Sequence, residues 1–253
     1  MVAVAEAPPR IHGEGARESA WRVSPWLARL AQRTSAHLLQ GSRRVVLLSP
    51  HPDDETLACA GLLQAAATAG LGVHVLAVTD GEACYPGDPH WTPARLREQR
   101  PREMARALVA LDVPATVQRL RLPDGGVTDN SDALEDALRA LLQPGDLVLA
   151  PWEQDGHPDH DATGHAALAT ATTPDIRLLR YPVWAWHWLA PAAAQPPFAA
   201  VCMPLTVDAM LRKRRAIACF ESQLGGTCPT VPAPILPPHV VARFHRPFEV
   251  YLT

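Results

Sequence analysis

Apolar residues in this chain come in short unbroken blocks, and between the blocks the spacing turns helical. Val45-Val46-Leu47-Leu48, the run from Val73 to Val78 and Leu147-Val148-Leu149-Ala150 largely lack the apolar–polar alternation of a half-exposed strand. They suit parallel strands covered on both faces. Val117–Leu122, Ile176–Tyr181 and Ala200–Leu205 read as further strands. Helical stretches run from Glu55 to Gly70, from Pro93 to Leu111 and from Ser131 to Leu142, with Gly70 closing the first and Ser131 capping the third. Pro101 predicts a kink or split in the second. Thr206–Gln223 reads as a last helix with Arg212, Lys213, Arg214 and Arg215 on its solvated face, followed by a Pro-rich loop over residues 225–238 and an extended 240–252 segment. Strand and helix thus alternate, which predicts an α/β fold with a mostly parallel sheet and helices on both faces. Ahead of it, residues 1–42 read as an extension: 1–20 is disordered or loosely draped, and Ser24-Pro25 opens a helix over about 24–40.

Composition narrows this picture. A chain of 253 residues, 47% hydrophobic and 19% charged, can bury one core, so residues 43–253 form a single domain. A net charge of −3 gives no electrostatic footprint for nucleic acid, and no apolar run is long enough for a membrane span. The first residues lack the basic start of a signal peptide. Five scattered cysteines without a Cys-x-x-Cys pair fit a reduced cytoplasm and no cysteine metal site. A homo-oligomer is compatible with all of this.

Two strand ends carry the candidate chemistry. The first breaks into His51-Pro52-Asp53-Asp54-Glu55, and the fourth into Asp155-Gly156-His157-Pro158-Asp159-His160-Asp161. Adjacent parallel strands bring such bursts to one edge of the sheet, where ligands bind in open α/β folds. Carboxylates stand where a dinucleotide site needs Gly-x-Gly-x-x-Gly, so pyrophosphate binding is excluded. His and Asp are ligands that Zn²⁺ accepts, and a catalytic site takes about three while leaving a position for water. A further carboxylate can then take a proton and a spare His can donate one. A lone His-Pro-Asp reads equally well as a capped turn, but two at matching strand ends favour a site. His165 is a helix-face residue, Asp161 complements a helix N-terminus, and His74 packs in a strand.

Together, His51-Pro52-Asp53-Asp54-Glu55, Thr79-Asp80-Gly81-Glu82 and His157-Pro158-Asp159-His160 resemble the PIG-L/LmbE-like zinc-dependent de-N-acetylases, with Arg100-x-x-Glu103 and Lys213…Ser222-Gln223 as weaker shared features. The resemblance covers about residues 43–223. It implies a Rossmann-like fold with Zn²⁺ held by His51, Asp54 and His160. It also implies Asp53 as general base, His157 as general acid or oxyanion donor, and Asp159 orienting His157. Some members carry a tyrosine two residues before the His157 position, where this chain has Asp155. The implied activity is removal of an N-acetyl group from an N-acetylglucosamine-type sugar or glycoconjugate. The alternatives are a zinc amidohydrolase acting on another acylated amine, such as an antibiotic conjugate, and a catalytically silent metal- or sugar-binding module. A His/Asp set also accepts Fe²⁺, Mn²⁺ or Co²⁺. Trp184, Trp186 and Trp188 form either a sugar-stacking surface or a packed lid. Arg97 and Arg100 either meet substrate or form helix-surface salt bridges.

Overall fold

The computed structural model describes residues 11, 13–173, 175–225 and 233–253. Of the stretch 1–20 expected to be disordered or loosely draped, residues 1–10 and 12 lie outside that range, as does 226–232 of the Pro-rich loop; residues 13–20 are instead docked, the Ala16 amide donating to the His187 carbonyl at 2.8 Å and Glu18 pairing with Arg246 at 2.8 Å. Eight strands form one sheet: β1 Ala31–Gln32, β2 Arg44–Ser49, β3 Gly72–Thr79, β4 Ala115–Leu122, β5 Asp146–Pro151, β6 Arg177–Tyr181, β7 Ala200–Pro204 and β8 Phe248–Leu252, in the order β1-β7-β8-β6-β5-β2-β3-β4. Every pairing is parallel except those of β8, which is antiparallel to both β6 and β7.

The unbroken apolar blocks divide between two cores. Val45 and Leu47 of β2, with Leu147 and Leu149 of β5, join one cluster; Val46 and Leu48, with Val148 and Ala150, join the other. Successive side chains of a strand point to opposite faces, so a strand with helices above and below has no polar face to show.

From β2 the chain winds outward through β3 to β4, then returns to place β5 on the other side of β2. The crevice beyond the carboxyl ends of β2 and β5 is therefore the topological switch point. Two helices start there, Asp54–Thr68 after β2 and Pro158–Thr170 after β5. Gly164 lets the second press onto its strand: a Cβ there would lie 2.7 Å from the Pro151 carbonyl and from the Glu153 backbone.

Four expectations change. Residues 24–40 are not one helix but a turn of 3-10 helix at Leu27–Arg29, the edge strand β1 and a short helix at Ser35–Leu39 capped by Thr34. Pairing of β1 with β7 overrides local helix propensity, and Trp21 and Trp26 pack against Trp186 at 5.0 and 6.1 Å between ring centroids. Pro101 neither splits nor ends its helix, which runs from Pro93 to Ala110. The Arg97 carbonyl, left without its helical donor by Pro101, accepts from Arg119 Nη2 at 3.3 Å instead. The last predicted helix ends at Ile217, before a separate turn at Glu221–Leu224, and Lys213 is buried against Glu249 at 2.8 Å rather than solvated. The 240–252 segment is extended only over β8, its first residues forming a short helix at Pro238–Val241.

Candidate metal centre

Both polar bursts reach the switch point, and their side chains interlock. His51 Nδ1 lies 3.3 Å from His160 Nε2 and 3.6 Å from Asp54 Oδ2, and His160 Nε2 lies 3.3 Å from the same oxygen. Metal–ligand bonds of about 2.0–2.1 Å put neighbouring tetrahedral ligand atoms about 3.3–3.4 Å apart, close to this triangle.

The far side of each ring fixes its tautomer. His51 Nε2 faces Asp159 Oδ2 at 3.1 Å and Asp124 Oδ1 at 3.2 Å, and His160 Nδ1 stands 2.9 Å from Asp155 Oδ2. When each ring keeps one proton toward these carboxylates, it turns a lone pair into the triangle. Two imidazole lone pairs and a carboxylate oxygen facing one point repel one another unless a cation lies among them. The donor set therefore fits a divalent metal. His51, His157 and His160 also bring ring nitrogens within 4.8 Å of one another, as do the donor atoms of His51, Asp124 and Asp159. The His51–Asp54–His160 set is the one whose donors converge with carboxylates backing both rings.

Electrostatics agree. Burial would lower His160, yet Asp54 and Asp155 raise it to about 9. His51 is likewise raised against its burial, by Asp124, Asp159 and Asp54. Carboxylates that favour a proton at these rings favour a metal cation in its place. Asp54 is held well below its ordinary value despite burial, by His160 and then His51.

Asp53 and Asp54 are neighbours with different surroundings. Asp53 has φ 155° and ψ −26°, a conformation that costs a non-glycine residue about 1–3 kcal/mol. Its amide donates to Glu55 Oε2 at 3.1 Å, and its carboxylate accepts from the buried Arg100 at 3.0 Å. Arg100 also donates to the Gly81 and Pro52 carbonyls. Burial pushes Asp53 up to about 7, with Arg100 opposing and Asp54 adding to the rise. A buried carboxylate in that range suits proton abstraction near neutral pH.

His157 caps its own helix, Nδ1 accepting from the Asp159 amide at 3.2 Å. Its proton therefore resides on Nε2 in the neutral form. Burial, and then the nearby His51 and His160, lower it to about 3. It is a hydrogen-bond donor at neutral pH, not a stored cation.

The Asp159 carboxylate differs from expectation. It accepts from the Gly125 and Val127 amides at 2.7 and 3.2 Å and faces His51, while only its backbone meets His157. The carboxylate expected to orient His157 thus faces His51 instead. Asp155 accepts the amides of Val183, Trp184 and Ala185 at 2.9, 2.8 and 2.9 Å, tying the segment after β6 to His160.

Thr79-Asp80-Gly81-Glu82 buttresses the site from behind. Thr79 Oγ1 donates to the Pro50 carbonyl, Asp80 pairs twice with Arg119, and Glu82 pairs with Arg97. Arg97 is the surface salt bridge the sequence suggests; Arg100 is a buried clamp on Asp53. Glu103 accepts from the Ser222 amide and hydroxyl at 2.9 and 2.6 Å, joining the two weaker motifs. His165 and Asp161 sit on the helix after β5 as expected, Asp161 accepting from the Gly156 amide.

A cavity of about 220 Å³ opens onto His51, Asp53, Asp54 and His157, with Trp184 and Leu236 among its apolar walls. The tryptophans separate. Trp186 packs in the core with Trp21 and Trp26, and Trp188 stacks on Trp152 and donates to the Asp155 carbonyl. Trp184 is the member of the three that lines the cavity.

Sequence reasoning missed Asp124 and Asp155 and misjudged Arg100. Asp124 lies at the carboxyl end of β4 in Pro123-Asp124-Gly125-Gly126, where turn chemistry masks it. Its position at the same sheet edge was the available signal.

The family described as "PIG-L: GlcNAc-PI de-N-acetylase" matches residues 46–171. A 1D-myo-inositol 2-acetamido-2-deoxy-alpha-D-glucopyranoside deacetylase of Kineococcus radiotolerans is 36% identical over 118 residues, covering 46% of this chain and 31% of that protein. A 2'-N-acetylparomamine deacetylase of Streptomyces fradiae is 28% identical over 196 residues, covering 71% of this chain and 66% of the relative. The chain thus spans less than two thirds of either curated relative. The zinc-inhibited form of teicoplanin deacetylase Orf2 superposes with a TM-score of 0.59 at 21% identity, over 72% of this chain and 85% of that one, a likeness of fold. Among the described residues no helix is long and apolar enough to cross a membrane.

Proposed function

We propose that this chain, whose residues 46–171 match the PIG-L family, hydrolyses the acetamide of an N-acetylglucosamine-type sugar or conjugate. The observation that carries the reading is the His51–Asp54–His160 triangle with Asp53 and His157 on the same cavity. Mere metal binding requires neither a clamped, buried carboxylate nor a neutral imidazole with a free N–H.

His51, Asp54 and His160 would hold Zn²⁺. When bound, the metal supplies Lewis-acid polarisation of a carbonyl and lowers the pKa of water. Asp53, fixed by Arg100, takes the proton of the attacking water. His157 Nε2–H donates to the carbonyl oxygen as charge develops there, acting as a preorganised oxyanion donor. The proton gathered on Asp53 is then available to the departing amine. Trp184 and Leu236 exclude water and offer an apolar face against which a sugar ring stacks.

The two curated relatives both deacetylate N-acetylated amino sugars, one on an inositol and one on paromamine, by their names. The shared unit is the N-acetylated amino sugar, and the aglycone is the variable part. An antibiotic conjugate is the second reading, favoured by the longer match to the paromamine enzyme.

The test is free-amine release from a panel of N-acetylglucosaminides and N-acetylated aminoglycosides, using metal-stripped protein with and without Zn²⁺. Zinc-dependent release is the expected result. Metal binding without release from any member would return the chain to a silent binding module.

A further inference from the structure

A second charged cluster lies behind the Trp186 layer, where the N-terminal segment docks against β8. Lys213, Arg243, Arg246 and Glu249 line one small cavity there. Two of the three cations are matched. Lys213 Nζ is 2.8 Å from Glu249 Oε1, and Arg246 pairs with Glu18 at 2.8 Å while lying 4.3 Å from the Trp186 ring.

Arg243 is not matched. Its side chain donates to the Glu14 carbonyl at 2.9 Å and meets His187 Nδ1 at 3.3 Å, neither of them a carboxylate. No carboxylate among the described residues forms an ion pair with it, its Nε has no hydrogen-bond partner, and the residue is 2% exposed. Burial and the neighbouring Arg246 lower it to about 10, with the Glu18 carboxylate opposing from its pairing with Arg246, so it stays charged at neutral pH. A buried guanidinium that shares its nearest carboxylate with another arginine is costly, and such charges are normally paired.

We propose that Arg243 Nε, with Arg246 and Lys213 beside it, binds a small monovalent anion of halide size. The cavity of about 20 Å³ has room for about one water-sized species, which admits chloride and is too small for acetate. A larger cavity of about 560 Å³ lies on the other side of Arg246 and Phe248, which line both, and it carries Arg22, Arg214 and His245. The bound anion would tie the segment around Glu14 and Glu18 to the domain through the two arginines. It therefore acts on stability and lies apart from the proposed chemistry.

The experiment is thermal unfolding of the whole chain in sodium chloride, sodium acetate and sodium gluconate at matched ionic strength. Chloride is expected to raise the Tm of the wild type by a few degrees in a saturable manner, as a ligand of the native state does. Acetate and gluconate should not, and Arg243→Gln should flatten the chloride response. An equal shift with acetate, or an unchanged chloride response in Arg243→Gln, overturns the proposal. Should Arg243→Gln fail to fold, bromide soaked into crystals of the wild type decides: an anomalous peak beside Arg243 supports it, and none there overturns it.

Discussion

The two His-Pro-Asp bursts are spelled alike and built differently. In the first, His51 turns a ring nitrogen into the triangle with Asp54 and His160, and Asp53 holds a strained backbone under the Arg100 clamp. In the second, His157 spends one nitrogen capping its own helix, Asp159 turns away to His51, and His160 occupies the triangle instead. Each burst thus supports the other. Asp159 backs His51 from across the crevice, and Asp54 meets His160. A tripeptide fixes neither role; the surrounding amides and carboxylates do.

The largest effects should come from separating the two carboxylates of the first burst. Asp54→Asn is expected to lose metal on dialysis. Asp53→Asn should keep metal and lose turnover by about 10²–10⁴-fold, the range for a missing general base. Metal content and amine release on the same preparations check both. If Asp53→Asn lost its metal, the division of labour within Asp53-Asp54 would be wrong.

Asp159→Asn tests the crossing between bursts. Acting through His51, it should weaken metal affinity by about 10–100-fold, as loss of a partner behind a metal-binding histidine does. Competition with a fluorescent chelator measures this directly. Unchanged affinity with a fall in kcat would restore the pairing of Asp159 with His157 that the sequence suggests.

Much of this architecture is legible in the amino-acid sequence, for a physical reason. Unbroken apolar blocks report burial on both faces, and carboxylates following them report a loaded strand end. What escapes depends on contacts distant in sequence. Nothing near Ala31 announces pairing with Val201, nothing near Pro101 announces that Arg119 will satisfy the Arg97 carbonyl, and nothing near Lys213 announces Glu249. Within the site, the two bursts stand out because each is a local run of His and Asp, while the choice of His51, Asp54 and His160 among them comes from the family resemblance. Asp124 and Asp155 do not, because their work is done on histidines and amides belonging to other segments.

Arg100 sets the two bursts further apart, since among the described residues only the first has such a clamp. Gly81 has φ 66°, and a Cβ there would collide with the Arg100 guanidinium. Gly81→Ala should therefore displace that group and reproduce Arg100→Gln. Either should cut kcat about tenfold, less than the about 10²-fold that an ångström of misplacement can cost. The double variant should be no worse than the poorer single one, because both act on one contact. Additive losses would show that Gly81 serves something besides Arg100.

The smallest effect on chemistry is expected beyond the second burst, where Asp155 fixes the segment carrying three tryptophans. Trp184 lines the cavity and Trp186 lies in the core. Trp184→Ala should raise KM about threefold to tenfold, the worth of one aromatic contact, with kcat and Tm nearly unchanged. Trp186→Ala should instead cost about 3–5 kcal/mol of stability, the usual penalty for emptying a core site, and leave the KM of the surviving folded protein alone. Kinetics beside thermal unfolding separates the two. A KM unchanged in Trp184→Ala would leave Trp184 as lid packing and move sugar recognition to the Leu236 wall.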